Sequence, residues 1–63
     1  YLLPRRAEIL NIISEHRLVT FDSIRRRFIG IPDRTLSYDL KKLQDGGLIK
    51  KRGATKGVYY EIL

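Results

Sequence analysis

Leucines at positions 36, 40 and 43 recur at i, i+4 and i+7, bracketed by Pro32 on one side and Gly46-Gly47 on the other. That spacing lays one narrow apolar stripe along a helix. The flanking residues supply its ends. Pro32 belongs near a first turn, where its missing amide costs nothing, and Asp33 suits the positive end of the helix dipole. Gly46-Gly47 lets the chain leave through a left-handed residue. The pattern predicts a helix from about Pro32 to Asp45. A single thin stripe must be covered by other elements, and 63 residues leave room for one small domain to supply them. At this length the expected stability is marginal, roughly 3–5 kcal/mol.

Two further helices precede that segment. Pro4 can occupy a first turn, and Ile9, Leu10, Ile12 and Ile13 cover a broad face up to His16, with Arg5, Arg6, Asn11 and Glu15 polar. Leu18 and Val19 read as a short extended piece. Thr20 can cap a second helix, on which Phe21, Ile24 and Phe28 share one side. Gly30 and Pro32 then break the chain, since Ile31 before proline is pushed from helical angles. After the third helix, Leu48 to Arg52 and Val58 to Leu63 read as strands, joined by Gly53-Ala54-Thr55-Lys56-Gly57 with glycine at each end. Val58, Tyr60 and Ile62 alternate with Tyr59, Glu61 and Leu63. The predicted class is mainly α with a β hairpin, and Leu48 and Ile62 are expected to join the helical stripes in the core.

Composition narrows the function. Thirteen Lys plus Arg against seven Asp plus Glu give a net charge of +6, which favours a polyanionic partner. The chain has no Cys and one His, so neither a disulfide framework nor a structural zinc site can be built. No apolar run approaches the ~18 residues of a membrane span, no signal peptide is visible, and no membrane partner is expected. The first residue is not Met, which suggests a fragment of a longer protein or a processed N-terminus.

Around helix three, Arg34, Tyr38 and Lys41 project opposite the leucine stripe, with Ser37 and Lys42 flanking them. A guanidinium fork, a phenol, ammonium groups and a hydroxyl together suit base edges and phosphates. The alternative is an ordinary solvated helix face. The hairpin adds Lys50, Lys51, Arg52 and Lys56, opposed by Glu61. Those cations suit backbone phosphates, although edge lysines also simply block aggregation. In the run Arg25-Arg26-Arg27 the three side chains point in three directions. Arg26 and Arg27 are candidate phosphate contacts, and Arg25 lies nearer the apolar stripe, where its stem could cover the core. One of Tyr59 and Tyr60 should pack inward.

Catalysis finds little support. His16 has no nucleophile beside it. Glu8, Glu15, Asp22, Asp33, Asp39, Asp45 and Glu61 are scattered singly and read as solvated or capping groups. The Gly53–Gly57 loop lacks the order and the strand-to-helix setting of a phosphate loop. We therefore expect no enzyme and no cofactor.

The segment Arg34-Thr35-Leu36-Ser37-Tyr38-Asp39-Leu40-Lys41-Lys42-Leu43, followed by Gly47-Leu48-Ile49, resembles the recognition helix and first wing strand of DeoR-type winged helix-turn-helix domains. Arg6 with Ile9-Leu10, and the Val19-Thr20 start of helix two, also fit, so the resemblance covers nearly the whole chain. It implies a transcriptional regulator that binds double-stranded DNA, with helix three in the major groove and the hairpin as a wing on phosphate or minor groove. By position, Arg34, Ser37 and Tyr38 would read bases, Thr35 would touch phosphate or pack, and Lys41 would grip phosphate. It further implies a cytoplasmic, nucleoid-associated protein and a homodimer formed through regions outside this chain. Here Ser37-Tyr38 stands where many DeoR-type domains carry two arginines, and the wing is longer. The closing strand also resembles winged helices appended to larger enzymes, so an accessory or protein-interaction module is the competing reading. Its mark would be an exposed apolar patch, such as Tyr1-Leu2-Leu3 with Tyr59.

Overall fold

A computed structural model describes residues 2–16, 19–53 and 57–63. Three helices are followed by a hairpin: α1 (Pro4–Glu15), α2 (Phe21–Arg27), α3 (Asp33–Asp45), β1 (Ile49–Arg52) and β2 (Tyr59–Ile62). The predicted order and class hold, and the strands are each shorter than the runs that announced them. Leu18 and the loop residues Ala54, Thr55 and Lys56, like Tyr1, lie outside the described residues.

Each helix begins and ends for a local reason. Pro4 opens α1 at a position that needs no amide hydrogen. Thr20 caps α2, its hydroxyl oxygen accepting from the Ser23 amide at 3.2 Å. Asp22 in the first turn of α2 and three arginines in its last complement the helix dipole. The α3 terminus closes with the Leu48 amide donating to the Leu43 carbonyl and the Gly47 amide to that of Gln44. This is the paired exit that needs a left-handed residue, and Gly47 supplies it at φ +74°.

β1 and β2 pair antiparallel, Ile49 opposite Ile62 and Arg52 opposite Tyr59. Val19 adds a single bridge on the free side of β2, where the Tyr60 amide donates to the Val19 carbonyl at 2.8 Å. The loop between α1 and α2 is thereby stitched to the hairpin.

The core consists of Ile9, Ile12, Ile13, Val19, Ile24, Leu36, Leu40, Leu43, Ile49 and Tyr60, with Leu2, Leu10, Phe21, Phe28 and Ile31 packed around it. Burial of each such aliphatic side chain stabilises the fold by about 1.5–3 kcal/mol relative to leaving it in water. Two expected members are missing. Leu48 is 38% exposed and Ile62 is 42% exposed. Leu48 sits in the turn that closes α3, one residue out of phase with the inward side chain, so Ile49 takes the buried position. Ile62 points to the same side as Tyr60 but occupies the last position of β2. Of the two adjacent tyrosines, Tyr60 packs inward and Tyr59 is half-buried, as strand alternation requires.

Candidate nucleic-acid interface

The outward face of α3 carries Arg34, Ser37, Tyr38, Lys41 and Lys42, all exposed, while Leu36, Leu40 and Leu43 are buried behind it. Thr35 is half-buried at the border between the two faces. Tyr38 has company. The Arg6 guanidinium lies 5.5 Å from its ring centroid and the Lys42 ammonium 5.4 Å from it, both within the range where a cation is attracted to the ring face.

Asp39 overturns its sequence reading as a solvated or capping group. It is fully buried, and it accepts from Arg5 Nε at 2.5 Å, Arg6 Nε at 2.9 Å and, more weakly, Arg5 Nη2 at 3.4 Å. The physical reason lies in the helix period. Residues 36, 39, 40 and 43 all face inward, so Asp39 occupies a core position, and a carboxylate is tolerated there only with partners. Burial pushes the carboxyl up. The hydrogen bonds and charges of Arg5 and Arg6 outweigh burial and hold Asp39 below the ordinary carboxylate range. A signal for this exists in the sequence: an acid at the fourth position of an apolar stripe, with two successive arginines on α1.

Arg25 also joins two elements. Its guanidinium donates to Asp22 at 2.5 Å and Asp33 at 2.9 Å, and it lies 5.9 Å from the Phe21 ring centroid. Its charge locks α2 to the start of α3, and Phe21, beside its guanidinium, is itself packed against the core. Asp22 and Asp33 are thus partners as well as dipole-complementing groups. Arg26 and Arg27 stay exposed and form no ion pair among the described residues.

On the hairpin, Lys50, Lys51 and Arg52 are exposed. Arg52 is hydrogen-bonded to Glu61 across the strands, so its charge is locally opposed. An exposed pair of this kind contributes little to stability and opens readily. Lys56, the remaining wing cation of the sequence reading, lies outside the described residues. No group of three or more metal-binding side chains occurs among the described residues, and no described helix is long and apolar enough to cross a membrane.

Three helices, the third of them basic on its outward face, followed by a β hairpin define the winged helix-turn-helix class. The chain belongs to a helix-turn-helix domain family, whose profile, described as "Helix-turn-helix domain", matches residues 3–52. Among solved structures it is similar to a point mutant of ZitR from Lactococcus lactis, at 29% identity and a TM-score of 0.83, over 100% of this chain and 44% of that one. It is also similar to Rv0081 from M. tuberculosis, at 25% identity and a TM-score of 0.83, over 95% of this chain and 59% of that one. This chain therefore corresponds to roughly half of each of those proteins. No curated protein sequence matches it at a significant level.

Proposed function

We propose that this domain binds double-stranded DNA as the reading head of a transcriptional regulator. The observation that carries the reading is the exposed row Arg34, Ser37, Tyr38, Lys41 and Lys42, set directly opposite the buried leucines of α3. A helix of this kind fits the major groove by its N-terminal half, where Arg34, Ser37 and Tyr38 can reach base edges. Thr35 and Lys41 flank them, within reach of phosphate. Lys51, Arg52 and Lys56 of the wing grip the adjacent backbone or minor groove, Arg52 exchanging Glu61 for phosphate. Arg26 and Arg27 add contacts from the end of α2. The Thr35-Leu36 and Asp39-Leu40 pattern supports kinship with DeoR-type reading heads, and membership in a helix-turn-helix family supports DNA as the ligand. No chemistry is assigned to the domain itself. In this reading the working protein is cytoplasmic and pairs with a second copy through parts beyond this chain, since two linked heads read two half-sites.

Titration of a labelled mixed-sequence duplex at several salt concentrations, followed by anisotropy, tests the proposal. Binding should weaken with salt at a log–log slope of magnitude about 3–6, reflecting counterions released by that many phosphate contacts. Absence of binding at low salt would reject it and favour a protein-interaction role through exposed apolar residues, such as Ile29, which is 90% exposed.

A further inference from the structure

In the proposed interface α1 serves only as scaffolding, yet its first turn carries more charge than scaffolding requires. One buried carboxylate needs one cation, and Asp39 has two: Arg5 and Arg6 both donate to it. The cluster therefore holds a surplus positive charge. That surplus is open to solvent, because the Asp39 side chain is 0% exposed whereas those of Arg5 and Arg6 are 36% and 20% exposed. Glu8, one turn further along α1, forms no ion pair among the described residues that would cancel it.

The two arginines differ in what they have left to offer. Arg6 is the more enclosed and lies against Tyr38. Arg5 commits Nε and one Nη2 hydrogen to Asp39, which leaves three of its five N–H groups free. Position matters as much as valence. Arg6 lies within cation–ring distance of Tyr38, and Tyr38 belongs to the outward face of α3, so the cluster is continuous with that face through Tyr38 and Lys42. A guanidinium whose stem is already tied to a buried carboxylate has lost most of its rotamer freedom, so it meets an anion at little further entropic cost.

We propose that Arg5 is a phosphate-binding site on α1. It grips the DNA backbone at the edge of the groove that α3 enters, with Asp39 and Arg6 as positioning residues that hold its guanidinium outward. The inference rests on the DNA-binding reading above. It extends the interface to a third helix and gives Asp39 a part in binding that its burial conceals.

Arg5→Gln tests it, because Asp39 keeps Arg6 as a partner and the fold can be verified by a thermal melt. In the same salt series, the unaltered chain should bind, and Arg5→Gln should weaken binding equally on unrelated duplexes and reduce the slope by about one unit. Arg5→Lys, which keeps the charge, should restore the slope. A folded Arg5→Gln with an unchanged slope would overturn the phosphate site while leaving the DNA reading intact. Failure of the unaltered chain to bind overturns both. If Arg5→Gln does not fold, the Arg5 Nε–H signal of the unaltered chain can be followed by NMR during addition of the duplex. A shift on binding supports the site, and a stationary signal overturns it.

Discussion

Asp39 is where local chemistry departs furthest from what its residue type suggests. A carboxylate inside a core is costly alone, and removing its partners, or removing it from them, leaves charge without compensation. Because both arginines are partly exposed, the cost of Asp39→Asn should fall below the roughly 3–5 kcal/mol of a fully buried pair, at about 2–3 kcal/mol, read as a shift in urea or thermal melts. In so small a domain that is a large share of the total. The folded-state pKa of Asp39 is held below its unfolded value, so its contribution is complete above about pH 4 and is lost as pH falls through the folded value. Acid melts should therefore steepen below about pH 4 in the unaltered chain and flatten in Asp39→Asn. A second residue prediction concerns recognition. Arg34→Ala should cost about 1–3 kcal/mol at one base position if its fork reads a base, whereas equal losses on every duplex would make it a phosphate contact.

The elements are held by a few residues with special backbone duties, and these are the legible part of the sequence. The leucine stripe and Gly46-Gly47 locate α3 to within one residue of its observed start, because period and exit signal act locally. Thr20 before Phe21 places α2 for the same reason. Which side of the hairpin faces the core is not legible in this way. Leu48 and Ile49 are both apolar, and only the tertiary exit geometry of α3 decides that Ile49 turns inward. The pairing of Asp39 with Arg5 and Arg6, and of Arg25 with Asp33, is hinted at by residue type but fixed only by packing that no local window contains, whereas Asp22, three residues before Arg25 on α2, is a local partner. The glycines give the sharpest test at this scale. A methyl at Gly47 would meet nothing within 4 Å, so Gly47→Ala should cost only the left-handed backbone penalty, about 1–2 kcal/mol. At Gly53, with φ +95°, the added carbon would stand 2.5 Å from the Gly57 carbonyl oxygen, so Gly53→Ala should also force the hairpin loop apart. NMR cross-strand contacts between β1 and β2 should survive the first substitution and weaken in the second.

Across the whole molecule, charge is sorted by use. Carboxylates are spent on Arg5, Arg6, Arg25 and Arg52, where they tie α1 to α3, α2 to α3, and β1 to β2. The cations of the outward α3 face, by contrast, form no ion pair among the described residues. Much of the net charge of +6 is thus left where a polyanion can use it. Lys51→Ala should accordingly weaken all duplexes alike and lower the salt slope by about one unit, and an unchanged slope would remove Lys51 from the interface. A residue-resolved NMR titration of the domain with a mixed-sequence duplex at low salt would see the whole interface at once. If α3 and the wing grip DNA, shifts should concentrate on Arg34–Lys42 and on Lys50–Arg52, with Leu48, Ile62 and Leu63 nearly still. Shifts centred instead on the exposed apolar residues, or none at all, would contradict DNA binding by this face.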